Sequence, residues 1–193
     1  MVVQTIRVVR LSLLFVLALI FTFIHLKEVG ADQTDPELDA LFARLLITDN
    51  QAEAVGITNR IWTVWRAHDD DQIMTLMSRG MRSMRAANLT KAVEHFSEVI
   101  RIDPQFAEGW NARATAYYNM GEYGLSTRDV KATLRLEPRH FGALSGQGMI
   151  YMALDNLDDA LFFFERALDV NPHMHQLIPS IEKIKQALAG RVI

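Results

Sequence analysis

The sequence predicts an all-α solenoid of antiparallel helical hairpins, and three observations carry that expectation. Prolines at 104, 138 and 172 recur every 34 residues, each behind a polar residue (Asp103, Glu137, Asn171). With blocks set at 73–106, 107–140 and 141–174, the eighth position holds Gly80, Ala114 and Gly148, and the twentieth holds Ala92, Ser126 and Ala160. Helices approach closely only where neither presents bulk, so two columns of small residues a dozen positions apart mark a hairpin. Bulk sits in other columns: Leu76, Trp110 and Leu144 at position four, Phe96, Val130 and Phe164 at twenty-four, Ile100, Leu134 and Leu168 at twenty-eight. These residues are placed to fill the space between stacked hairpins.

The elements follow in chain order. Residues 1–31 have the layout of an export signal: Arg7 and Arg10, an apolar run from Leu11 to Ile24, and a short polar stretch ending Val29-Gly30-Ala31. Small residues at −3 and −1 place a cleavage before Asp32. The same segment also reads as an uncleaved anchor, since Val8 to Leu26 is just long enough to cross a bilayer. Either way Arg7 and Arg10 hold the short N-terminal side in, and the remainder is expected in the periplasm.

Residues 32–72 are expected to form a degenerate hairpin that caps the N-terminal end. Asp35-Pro36 starts a helix to about Leu46, and Thr48-Asp49-Asn50 caps a second through Trp65. Within the repeats the turns fall near Asn88-Leu89, Gly121-Glu122-Tyr123 and Asp155-Asn156-Leu157, with Gly or Asn expected to supply the unusual backbone dihedrals. Proline at position thirty-two ends each second helix. Residues 175–193 supply a capping helix with Ile178, Ile181, Ile184 and Leu188 on one face, Pro179 being tolerable only in its first turn.

The segment Ala107-Glu-Gly-Trp-Asn-Ala-Arg-Ala-Thr-Ala-Tyr-Tyr118, with Gly121-Glu-Tyr123 and Pro138, resembles a tetratricopeptide repeat, and the resemblance extends over residues 73–174. The whole is similar to small exported tetratricopeptide proteins of Gram-negative bacteria. That resemblance implies a right-handed superhelix whose concave groove is lined by positions two, five, nine and twelve, and which binds other proteins. One departure recurs. Position seven, usually leucine in the family, holds Arg79, Arg113 and Gln147, whose methylenes are expected to cover a neighbouring hairpin while their heads reach water.

Composition narrows the function. Twenty basic against 23 acidic residues give −3, too balanced for nucleic-acid binding. Removing residues 1–31, which carry Arg7, Arg10, Lys27 and Glu28, would leave 17 against 22, or −5. The absence of cysteine excludes disulfides, thiolate metal sites and a thiol nucleophile. No phosphate loop, nucleophile elbow or HExxH is present, so no cofactor and no catalysis are expected.

The informative constellation is methionine. Met74, Met77, Met81 and Met84 recur at i, i+3, i+7 and i+10 and share one helix face. In the resemblance they occupy the groove positions of the first repeat, and Met149 and Met152 occupy positions nine and twelve of the third. Between them the second repeat offers Glu108, Asn111, Thr115, Tyr118 and Asn119. An adaptable apolar surface around a polar centre suits recognition of a peptide or helix from another protein. The alternative reading is core, buried under the N-terminal hairpin or a neighbouring one. A third reading is a thioether site for Cu(I) built on Met77 and Met81, with His173 and His175 as distant imidazoles. The family's carboxylate clamp, which uses Lys and Asn at groove positions five and nine, is missing, since Met77 and Met81 stand there.

Overall fold

Each repeat folds into a hairpin whose turn is set by one left-handed residue, and the first and third repeats cap each helix separately, through Asp70 and Asn88 and through His140 and Asn156. The computed structural model describes residues 35–190, and among them nine α-helices follow one another: α1 Pro36–Ile47, α2 Gln51–Arg66, α3 Asp71–Arg85, α4 Leu89–Ile102, α5 Ala107–Asn119, α6 Tyr123–Leu136, α7 Phe141–Ala153, α8 Leu157–Val170 and α9 Ile178–Gly190. The export segment expected over 1–31 lies outside the described residues. Helices α3/α4, α5/α6 and α7/α8 pair as hairpins, α4 packs on α5, α6 on α7, and α9 closes the stack against α8. A short 3-10 turn, His175–Leu177, precedes α9, and Pro179 is the second residue of that helix, where its missing N–H costs nothing.

Position fifteen carries the left-handed backbone in every repeat, at Ala87 (φ 55°), Gly121 (φ 78°) and Asp155 (φ 56°). The strained site therefore lies one residue before Asn88 and Asn156. Those asparagines cap instead, each Oδ1 accepting from a backbone N–H, of Lys91 at 3.2 Å and of Asp159 at 3.4 Å.

The two columns of small residues meet for a specific reason. A Cβ added to Gly148 would sit 2.6 Å from the ring of Phe164, and one added to Gly80 would collide with Phe96. In the middle repeat the bulky partner is Val130, and alanine is admitted at Ala114. Glycine with phenylalanine, alanine with valine: volume is held constant across positions eight and twenty-four. Ser126 adds a hydrogen bond, its Oγ donating to the Ala114 carbonyl at 2.8 Å.

Position seven corrects an expectation. Arg113 turns inward, donating from Nε to Asp129 Oδ2 at 2.6 Å, from Nη2 to Oδ1 at 3.0 Å and from Nη1 to Ser97 Oγ at 3.0 Å, with Asp129 fully buried. Gln147 is also buried, its Nε2 donating to Thr127 Oγ1 at 3.3 Å. Of the three, Arg79 alone is exposed. Arg113 reaches the second helix of its own hairpin and, through Ser97, α4 of the hairpin before it, while Gln147 reaches α6 of the preceding hairpin, so the column carries polar contacts between helices where the family has leucine.

A second correction concerns α1 and α2, which do not stack as an N-terminal cap. The link Ala67–Asp70 reverses the chain at His68, whose Nδ1 accepts from the Asp70 N–H at 2.9 Å while Nε2 donates to Asp103 Oδ2 at 3.1 Å. From there α2 runs back along the turns between repeats. Arg66 lies 3.6 Å from Glu108, Trp65 lies on His140 and Phe141, Asn171 Nδ2 reaches Thr58 Oγ1 at 3.4 Å, and His175 faces Gln51 at 3.2 Å. Sixteen residues at 1.5 Å each make a strut about 24 Å long. Helix α1 lies outside it, tied by Arg139 to Asp39 at 2.7 Å and by His173 Nε2 donating to the Leu45 carbonyl at 3.1 Å. One core results, in which Leu38, Phe42, Ile61 and Trp65 are buried with Phe141, Leu144, Phe164 and Ile184. The reason is chemical. The outer face of α3 exposes Asp71, Gln72, Thr75, Ser78, Arg79 and Arg82, which suits an end of the solenoid and offers the tryptophans no apolar partner.

Candidate binding groove

The concave face is built from α3, α5 and α7, the first helices of the repeats. The strut claims its lower half. Trp62 rests so close to Gly142, position two of the third repeat, that a Cβ there would sit 2.6 Å from the indole. Glu108, position two of the second repeat, is buried: Asn111 Nδ2 donates to its Oε2 at 2.8 Å, His140 Nε2 meets the same oxygen at 3.3 Å, and Arg66 approaches its other oxygen. His140 is itself fixed, because its Nδ1 accepts from the Ala143 N–H at 3.0 Å and the ring proton is thus on Nε2, pointing at the carboxylate. Glu108 is therefore held by the scaffold and does not line open groove.

The upper half is open. Between α5 and α7 lies a cavity of about 210 Å³ lined by Asn111, Thr115, Tyr118, Asn119, Gly146 and Met149, with Ala114 and Val130 at its floor. Five of the residues singled out in the sequence meet here. Tyr118 is half-buried, its ring 5.7 Å from that of Tyr123. Thr115 and Asn119 are exposed, and Met149 is 39 % exposed. Met152, one turn further along α7, is 37 % exposed.

The methionines of α3 divide. Met74 and Met81 are exposed at 38 % and 42 %, whereas Met77 is 7 % exposed in a core with Ile73, Ala92, Phe96, Ala112 and Ala116, and Met84 packs against the same cluster. The stripe straddles the boundary between groove and core because i, i+3 steps rotate around the helix away from a narrow face. The Met77/Met81 pair required by the copper reading is split, one sulfur in the core and one at the surface. Among the described residues no group of three or more His, Asp or Glu side chains could hold a metal ion. His173 and His175 stand near each other, but each donates Nε2 to the strut hairpin, to the Leu45 carbonyl and to Gln51.

The fold and groove find counterparts among known proteins. The tetratricopeptide repeat model matches residues 142–174. A TPR repeat-containing protein of Rhizobium etli is 33 % identical over 153 residues, spanning 79 % of this chain and 75 % of the relative. The chain belongs to the tetratricopeptide repeat family. Two solved TPR domains share its architecture. The first TPR of Spaghetti (RPAP3), bound to an HSP90 peptide, superposes with a TM-score of 0.60 at 24 % identity over 63 % of this chain and 96 % of that one. The TPR2B domain of yeast Sti1, in complex with an Hsp70 peptide, gives 0.56 at 15 % identity over 63 % and 99 %. At these identities the likeness is one of fold. Since the superposed domains account for under two thirds of this chain, the TPR protein also carries helices beyond their length.

The strut escaped the sequence reading. Its signal was Trp62 and Trp65 three residues apart on a helix outside the period, together with Gly142 at a groove position where bulk would have been tolerated.

Proposed function

We propose that this TPR protein is a non-catalytic adaptor, exported to the periplasm, that binds a peptide or short helix of a partner protein in the upper half of its concave groove. The observation that carries the reading is the open cavity between α5 and α7, apolar at Met149 and Val130 and rimmed by Asn111, Thr115 and Asn119. Apolar walls with a few convergent polar groups are the usual make-up of a recognition site. Membership of a family whose solved members include peptide complexes supports the same class of ligand. The strut restricts what can enter: with Gly142 and Glu108 covered, a ligand meets positions nine and twelve of each first helix, so a few anchoring side chains suffice. Met77 and Met81 do not offer the Lys and Asn of the carboxylate clamp, which directs selection toward apolar anchors.

Export is supported by the charge and hydropathy layout of residues 1–31, and N-terminal sequencing of the mature protein tests it, a start at Asp32 being expected. The binding reading is tested with peptides selected by display on the purified protein. Selected peptides should lose binding to Tyr118→Ala and Met149→Glu and keep it with Arg101→Ala, a substitution on the second helix of repeat one. Equal binding to all three variants would place the ligand elsewhere.

A further inference from the structure

On the opposite face, α6 and α8 enclose a cleft of about 680 Å³. Its walls carry Arg128, Lys131 and Arg135 from α6 and Arg166 from α8, all exposed, and no carboxylate is among its lining residues. Leu134 and Phe163 line it between the cations, and Phe162, 53 % exposed, stands beside Phe163 with ring centroids 5.3 Å apart. Four cations around an aromatic surface are conspicuous in a chain of net charge −3. Several arginines elsewhere are neutralised internally, Arg44 by Glu53, Arg60 by Glu37, Arg101 by Glu98 and Arg139 by Asp39.

In the cleft only Arg128 has a carboxylate partner. Arg128 approaches Asp129 only at 3.5 Å, and that carboxylate is already held through both oxygens by Arg113. Among the described residues no carboxylate pairs with Lys131, Arg135 or Arg166, and Arg166 instead lies 5.7 Å from the Phe162 ring centre and 5.9 Å from that of Phe163. Cations kept free at the cost of mutual repulsion fit a partner of opposite sign.

We infer that the α6/α8 cleft is a second docking surface, distinct from the concave groove, which takes an acidic extended peptide segment of a partner protein. The shape selects a peptide. Lys131 and Arg135 are four residues apart on one helix, a rise of about 6 Å, close to the ~6.7 Å between alternate residues of an extended strand. Carboxylates at alternate positions can therefore each meet a cation, and an apolar neighbour can lie on Phe163. A membrane surface offers headgroups in a plane, which a cleft between two helices admits poorly.

The test uses the full chain in a non-ionic detergent and a fluorescent probe peptide, Glu-Leu-Glu-Phe-Glu, read by anisotropy. Binding is expected, with Kd rising about fivefold between 50 and 300 mM salt as screening shortens the reach of the cations. Lys131→Glu/Arg135→Glu should raise Kd at least about tenfold, since like charges then face each other, while its melting curve stays that of the parent. Phe162→Ala should raise Kd about threefold, a typical loss for one exposed aromatic contact. Tyr118→Ala should leave probe binding unchanged, which separates this surface from the groove. Absence of probe binding, or binding untouched by the double charge reversal, overturns the inference. So does binding of anionic phosphatidylglycerol vesicles or of polyadenylate that displaces the probe and shares its dependence on Lys131 and Arg135.

Discussion

The indole of Trp65 lies flat on the imidazole of His140, with ring centroids 4.2 Å apart and planes within 10°. Through this contact the N-terminal hairpin is fastened to the turn between the second and third repeats, 75 residues away in sequence. Both rings are buried, Trp65 at 2 % exposure and His140 at 0 %. Nearest-neighbour stacking alone would make the solenoid a row of weakly coupled units. A strut along the two inter-repeat turns and the turn before α9 couples the repeats to one another directly.

The first prediction follows from that fastening. Trp65→Ala removes a large buried ring and should cost about 3–5 kcal/mol. His140→Ala removes the stacked partner, the cap on Ala143 and a donor to the buried Glu108 carboxylate, and about 3 kcal/mol is expected from the lost cap and the lost donor together. The double variant should lose less than the two added, because each single change already forfeits the shared contact. Urea denaturation of the four proteins measures it, and strict additivity would mean that the rings are neighbours without being coupled.

A second prediction concerns Gly148 and Phe164. Alanine at 148 gains about 1 kcal/mol of helix propensity over glycine. Its Cβ would nonetheless meet a fully buried ring at 2.6 Å, and overpacking of that kind costs about 1–3 kcal/mol. Gly148→Ala should therefore melt below the parent. In a Phe164→Val background the order should reverse, since Ala114 and Val130 coexist in the middle repeat. A Gly148→Ala protein as stable as the parent in urea would show that the ring moves freely, contrary to a close-packed core.

The columns at positions eight, twenty and twenty-four were legible in sequence because a repeat displays its own constraint three times. Period, small residues and bulky residues all state one packing rule. What was not legible lies outside the repetition. The path of α2 depends on Trp62 and Trp65 preferring His140 and Phe141 over the polar outer face of α3, a choice between distant surfaces that no local pattern encodes. Arg113 and Asp129 were likewise opaque: sixteen residues apart on two helices, they meet only once the hairpin has closed. The groove was legible in part. Helical spacing placed Met74, Met77, Met81 and Met84 on one stripe, but a stripe of four methionines is wider than an open face. Burial at Met77 is decided by Phe96 and Ala112 from neighbouring helices.

The third prediction uses the left-handed turns. Ala87 is exposed and held at φ 55°, a conformation that costs an L-residue with a Cβ about 1–2 kcal/mol and glycine almost nothing. Glycine also loses more chain entropy on folding, so the net gain for Ala87→Gly should be about 0.5–1 kcal/mol. Gly121→Ala should lose a similar amount at the equivalent turn. Thermal melting of both variants reads the signs, and a lower melting temperature for Ala87→Gly would contradict the turn geometry.

The last prediction separates groove from core within a single helix. Met77 and Met81 are one turn apart on α3, yet the first is buried against Phe96 and Ala112 and the second is exposed at 42 %. A carboxylate introduced at Met77 would be buried without a partner, which a domain of this size cannot bear, so Met77→Glu should fail to fold or lose more than about 3 kcal/mol. Met81→Glu keeps its new charge in water and should change stability by no more than about 0.5 kcal/mol. If the groove extends from Tyr118 and Met149 across to α3, Met81→Glu should nonetheless weaken a bound peptide. Tyr118→Ala should weaken it more, by about 2 kcal/mol or some thirtyfold in Kd, because a half-buried aromatic with a hydroxyl is the usual kind of anchor. Circular dichroism melts and peptide titrations on the three variants decide the matter together. A folded, stable Met77→Glu protein would place that side chain at the surface, and a folded Tyr118→Ala protein with unchanged affinity would remove the cavity between α5 and α7 from consideration as the binding site.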